Sequence, residues 1–181
     1  MQGATSNVLN LKNGWVRKQL SRKMKRSNKV MPMEKQIEIH RWSAKILTPE
    51  NGFRILFTPA LRNPKNNSYE MEIIENTNHV EKITDPQLHK EILDYFKAAK
   101  AAGFYPSDFE LYQQRDGRVA LLDFDKYGII RGGDVVFPFR GSLPLHHPPT
   151  EVVYTEELTR QLQNIMKGGR RQRKTRRKRQ I

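Results

Sequence analysis

The stretch 104–128, FYPSDFELYQQRDGRVALLDFDKYG, constrains the fold more than any other part of the sequence. Phe109, Leu111 and Tyr112 stand before Asp116-Gly117, and Val119, Leu121, Leu122 and Phe124 stand after it. Asp-Gly adopts the positive backbone angles of a tight turn, so the two apolar runs are expected to form a hairpin. Asn13-Gly14 repeats the signal near the start of the chain. Residues 3–18 accordingly read as two strands, with Val8, Leu9 and Leu11 in the first and Trp15 and Val16 opening a second that ends at Lys18. A basic connection rich in Ser and Asn follows over 19–29.

Elsewhere the apolar spacing changes. Residues 32–47 have a helical stripe at Ile37, Ile39, Trp42, Ile46 and Leu47, with Pro32 suited to a first turn and Glu34 to the positive helix start. Pro49, Asn51 and Gly52 end it. Residues 86–102 present Leu88, Ile92, Leu93, Phe96 and Ala99 on one face, and Gly103 caps them. Residues 53–58 and 69–74 read as strands separated by a loop over 62–68, with Asn76-Thr77-Asn78 interrupting the second. Residues 129–150, rich in Gly, Pro and His, read as irregular, and 151–166 as a last helix broken by Gly168-Gly169. The class is α+β, with no internal repeat.

Composition matters mainly through where the charge lies. Residues 1–29 carry eight basic side chains and no acid, and residues 167–181 carry nine and no acid. The middle, 30–166, holds 16 basic and 19 acidic residues, so the net +14 belongs to the two ends. This counts against a uniformly basic coat protein. With no cysteine there is neither a disulfide framework nor a thiolate nucleophile or ligand. The apolar runs are short, which predicts no transmembrane segment. Met1 to Lys12 lacks the apolar run of a secretory signal, which predicts an intracellular setting.

The order of elements is a hairpin ending in Lys, a helix with Glu, two strands, a long helix, and a hairpin leading into Asp-Phe-Asp. Over roughly residues 3–140 it resembles a protein-kinase-like fold in miniature. That resemblance implies a two-lobed fold: a β-rich N-lobe and hinge over 1–75, a truncated helical C-lobe over 76–166, and a basic tail over 167–181. It implies ATP and Mg²⁺ as cofactors. Gly3 and Val8 take places in the Gly-rich phosphate turn, and Val16-Arg17-Lys18 takes the place of the strand lysine that neutralises phosphate charge. Glu34 or Glu38 would be the helix carboxylate that orients Lys18. Met71, Glu72 and Ile73 would lie where the hinge meets the adenine edge. Leu121-Leu122-Asp123-Phe124-Asp125 resembles the D-F-G strand end, so Asp123 would bind metal. Asp125, in place of Gly, either adds a metal-facing carboxylate or stiffens the turn.

The resemblance is thinner at the catalytic loop. Pro106-Ser107-Asp108 stands where H-R-D is found, and no Asn follows at the family's spacing. Asp108 is either the base of a shortened loop or a substitute for the Asn as second metal ligand. Glu110 could share that duty. The resemblance therefore implies either transfer of the γ-phosphoryl group to a protein hydroxyl or an inactive pseudokinase. His146-His147 reads as loop chemistry. The run 170–179, RRQRKTRRKR, is expected to attract nucleic acid or import receptors without sequence specificity, since no aromatic residue interleaves. Gly-Gly before such a tail resembles proteins of large DNA viruses, which implies host cytoplasm, nucleus or virion. The rival expectation is a non-enzymatic scaffold whose basic tail binds nucleic acid.

Overall fold

The computed structural model of the 181-residue chain describes residues 6–20, 31–75, 77–80, 83–106 and 109–136. Its architecture is α+β, with two α-helices and three small sheets among those residues.

The first hairpin forms around Asn13-Gly14. Strand β1 (Ser6–Asn10) pairs antiparallel with β2 (Trp15–Leu20), and Gly14 takes a φ of 81° that a side chain would disfavour. β2 runs two residues beyond the expected end at Lys18. Helix α1 (Met33–Ile46) closes with the Leu47 amide on the Ser43 carbonyl, and Asn51 donates from its side chain to the Lys45 and Ile46 carbonyls.

The segment expected as strand 53–58 contains only the short β3 (Leu56–Phe57). The reason is local: the amides of Arg54, Ile55 and Leu56 donate to the carboxylate of Glu91, at 3.0, 2.9 and 2.8 Å. The segment expected as loop 62–68 is instead mostly strand. β4 (Leu61–Lys65) and β5 (Ser68–Glu72) form a hairpin turning at Asn66-Asn67. β4 is an edge strand, which tolerates Pro64 and its missing donor, and its register shifts between Arg62 and Lys65. Polar edge residues hid it from a reading based on apolar alternation. β5 ends at Glu72, two residues before the expected limit.

The first sheet has the order β1-β2-β5-β4, all antiparallel. α1 covers one face, where Met33 and Ile37 pack on Tyr69 with Leu20, Leu61 and Met71. The opposite face carries the alternate residues Trp15, Arg17, Gln19 and Glu70.

Strand β6 (Asn78–His79) leads toward helix α2 (Pro86–Ala101). Asp85 caps that helix, with Oδ1 accepting the Gln87 and Leu88 amides at 2.8 and 3.3 Å. Beyond β7 (Phe104–Tyr105) come β8 (Glu110–Gln113) and β9 (Val119–Leu122), the expected Asp-Gly hairpin, with Leu111 opposite Leu121 and Gly117 at φ 88°. The second sheet is β3-β9-β8-β6, in which β3 and β9 run parallel. The start of the segment expected to be irregular is a fourth hairpin, β10 (Gly128–Arg131) and β11 (Asp134–Val136), turning at Gly132-Gly133 and joined to β7. Its strands of three and four residues are too short for a period to stand out. The expected helix 151–166 and the tail lie outside the described residues.

Leu88, Ile92, Tyr95, Phe96 and Ala99 of α2 pack with Leu111, Val119, Leu121, Phe124 and Tyr127 in the main core. A chain of buried hydroxyls crosses it. Ser43 Oγ lies 2.7 Å from Tyr95 Oη, which lies 3.1 Å from Tyr127 Oη. Removing the central hydroxyl in Tyr95→Phe deletes both hydrogen bonds of this buried chain, and should cost about 1–2 kcal/mol. The check is the urea midpoint, which should fall at unchanged slope. An unchanged midpoint would show that the chain contributes nothing.

Candidate functional site

The first sheet meets the β8–β9 hairpin at one ion pair. β2 alternation turns Lys18 toward the face covered by α1, and the end of β9 brings Asp123 to meet it. Lys18 Nζ lies 2.9 Å from Asp123 Oδ1, across 105 residues of sequence. The Lys18 side chain is only 13% exposed and that of Asp123 34%. Asp123 holds a φ of 67°, in the left-handed region that Asp tolerates better than most residues. Asp125 is buried beside the pair and adds a second negative charge acting on Lys18. Tyr69, paired with Lys18 across β2 and β5, is fully enclosed.

Burial alone would lower the Lys18 pKa. The opposing pull of Tyr69 once its phenol ionises at alkaline pH, of Asp123 and of Asp125, with the hydrogen bond to Asp123, more than offsets it, and the net shift is upward. Burial raises the Tyr69 phenol above its ordinary value, so at neutral pH it is uncharged and the two carboxylates hold the lysine cationic.

His40 closes the site from α1. Its ring lies 5.5 Å from Tyr69 and 5.1 Å from Phe124. Nε2 lies 2.8 Å from the Pro59 carbonyl, which can only accept, so this nitrogen carries the proton. Nδ1 is buried without a hydrogen-bond partner among the described residues. Burial pushes the pKa down to about 4, against the Pro59 bond and together with the charge of Lys18. The sign follows directly. A neutral His40 stabilises the fold above the ordinary histidine value near 6.5, and that contribution disappears as pH falls through about 4. Melting temperature should therefore drop between these limits, and less steeply in His40→Gln. Equal slopes would remove His40 from the acid response.

At the other side, Tyr112 donates to Glu110 at 2.8 Å. Burial first, then Glu110 and the charge of Asp123, raise the Tyr112 phenol to about 12. Glu110 itself is exposed.

The expected helix partners of Lys18 are not there. Glu34 and Glu38 are both exposed, and Glu38 pairs with Lys35. Helical spacing explains this: the buried side of α1 is Met33, Gln36, Ile37, Ile39, His40 and Ser43, which turns positions 34 and 38 to solvent. Asp125 is enclosed, and its charge acts on Lys18. Val8 sits opposite Lys18 on β1 and is 38% exposed. Met71 packs with Met33 and Ile37, while the Glu72 and Ile73 amides are engaged by the Ala60 and Gly14 carbonyls. A cleft of about 180 Å³ runs from Glu72 and Ile73 to Thr58, Gln114 and Arg118. Gly3, Asp108 and His146-His147 lie outside the described residues.

Sequence reasoning passed over His40, Tyr69 and Tyr112. The one available signal for His40 was its place three residues after Ile37 on the buried stripe of α1.

Among the described residues no group of three His, Cys, Asp or Glu side chains is close enough to enclose a metal ion. No family model matches the chain, and no curated protein matches it.

Proposed function

We propose that the chain is a diverged, compact protein-kinase-like protein that binds ATP and Mg²⁺ at Lys18 and Asp123. The observation that carries this reading is the 2.9 Å pair itself, a buried strand lysine meeting the aspartate of Asp-Phe-Asp. The order β1-β2-β5-β4 with α1 on one face supports a β-rich N-lobe, and α2 with the β8–β9 hairpin supports a reduced second lobe.

Without nucleotide, Lys18 and Asp123 neutralise each other. With nucleotide bound, Lys18 would be the donor to phosphate oxygens and Asp123 the carboxylate that holds the cation. The Asp125 carboxylate would keep Lys18 protonated as its partner changes. Tyr112 and Glu110 border the Asp123 side. Bound MgATP supplies the γ-phosphoryl group and the divalent charge. In the active version of this reading Asp108 takes the proton of a protein hydroxyl or serves as second metal ligand. Nucleotide binding without transfer, as in a pseudokinase, is favoured by one observation: neither Glu34 nor Glu38 meets Lys18. An intracellular setting and a viral origin belong to the same proposal.

A thermal-shift titration of the full chain with MgATP tests it. At a hundredfold excess over Kd the ligand stabilises by about 2.7 kcal/mol. For a chain of this size that is a rise of roughly 5–10 °C. Asp123→Asn should abolish the rise. No shift at millimolar MgATP in the unsubstituted protein would sink the proposal.

A further inference from the structure

The face of the first sheet turned away from α1 carries a second constellation. Glu70 is 5% exposed there and accepts Arg17 at 2.8 Å, Arg62 at 2.9 Å and Asn63 at 2.8 Å. Arg62 also stacks 3.8 Å above the Trp15 ring. One buried carboxylate thus holds two guanidinium groups in place, both more than a third exposed. A guanidinium has five N–H donors, so Arg17 keeps donors for a ligand after bonding Glu70.

Beside Arg17 lies a groove of about 440 Å³, lined by Arg17, Gln19, Lys65, Asn66, Asn67 and Ser68. Its lining has no acid, no aromatic residue and no aliphatic side chain. It offers two cations, three side-chain amides and one hydroxyl. The Leu20 amide bonds the Asn67 carbonyl at the groove wall, and the sequence then adds five basic residues between Arg22 and Lys29.

We propose that this groove binds the phosphate backbone of a nucleic acid strand. Cations with amides and a hydroxyl match phosphate oxygens and sugar hydroxyls, the groups that position a strand without reading its bases. The absence of aromatic lining removes base stacking. An anionic membrane surface fits less well, because interfacial binding draws on an apolar face that the groove lacks. The site is on the face of the sheet opposite Lys18, so it is independent of nucleotide binding there.

The test uses the full-length chain with the eight basic residues of 170–179 changed to Gln, which silences the tail. Fluorescence anisotropy with short single-stranded DNA and RNA oligonucleotides should still show salt-sensitive binding. Adding Gln19→Glu and Lys65→Glu should weaken it about tenfold and lower the salt slope by about one to two. Lys65→Gln alone should weaken it less. A stronger response with RNA than DNA would assign the sugar hydroxyls as contacts, and equal responses would assign the phosphates; either supports the groove. The proposal is overturned if the tail-silenced protein does not bind, if the charge reversals leave affinity unchanged, or if they abolish binding to anionic vesicles while oligonucleotide binding persists. An unchanged melting temperature in the reversed variant confirms that it is folded.

Discussion

Glu91→Ala should be the most destabilising single substitution in the described core, at about 3–5 kcal/mol. Glu91 is 1% exposed, yet it sits on α2 among apolar neighbours. Its carboxylate accepts three consecutive backbone amides and the Gln87 side chain at 3.0 Å. Alanine leaves the buried Leu56 amide and the part-buried Arg54 and Ile55 amides without this acceptor and frees the chain leading into β3. Melting temperature should fall by about 10 °C. Glu91→Gln retains one acceptor oxygen and nearly the same volume, so it should lie between the two. Burial tends to raise the Glu91 pKa, but the Leu56 bond, the Gln87 bond and the other two amides outweigh it and the net shift is downward. A depressed carboxylate stabilises the fold above its ordinary range and loses that contribution as pH falls through the folded value. The acid limb of the stability curve should accordingly flatten in Glu91→Gln. If Glu91→Ala melts within a degree or two of the unsubstituted protein, Glu91 is not the anchor of this loop.

The second large effect is an asymmetry within the ion pair. Asp123→Ala should destabilise by about 2–3 kcal/mol, while Lys18→Met should cost about 1 kcal/mol or less. Removing Asp123 leaves a nearly enclosed ammonium with its hydrogen-bond acceptor gone. Removing Lys18 leaves a carboxylate that is 34% exposed and can be hydrated. Solvent at Asp123 is the reason the first figure lies below that of a fully buried pair. Alanine at φ 67° adds backbone strain of about 1 kcal/mol, which Asp123→Asn largely avoids. The double variant should therefore be more stable than Asp123→Ala alone, a coupling that a double-mutant cycle reads directly. Because the Lys18 pKa is raised, its contribution is fully present at neutral pH, below the ordinary lysine value. It is lost only as pH rises through the folded value. Lys18→Met proving the more costly change would mean that packing of the lysine stem outweighs the charge.

Both turns signalled by Asn-Gly and Asp-Gly form, and both helices lie within a residue or so of their expected limits. These are short-range matters. A glycine that permits positive φ and a run of apolar residues at helical spacing act on their immediate neighbours wherever the rest of the chain goes. The hairpins at Asn66-Asn67 and Gly132-Gly133 were not legible, because an edge strand of polar residues and strands of three or four residues carry no clear period.

Among candidate site residues, Lys18 and Asp123 were singled out by the order of elements, and the structure brings their side chains together. Glu34 and Glu38 were chosen for their charge, but helical geometry turns them to solvent and presents His40 instead. Asp125, expected to add a metal-facing carboxylate or to stiffen the turn, is enclosed, and its charge acts on Lys18.

By itself, then, the sequence determined the α+β class, two of the turns, both helices and the separation of basic ends from an acidic middle. Only the tertiary structure decided which charges are structural. Glu70 and Glu91 look like solvated carboxylates in the sequence, since nothing nearby along the chain marks them otherwise. They become anchors because the hairpin turns Arg62 and Asn63 back onto Glu70, and the fold delivers Arg17 to Glu70 and the amides of residues 54–56 to Glu91 from distant segments. A buried charge is set by its partners, and which partners reach it is decided by the fold, whether they come from the next strand or from a distant segment.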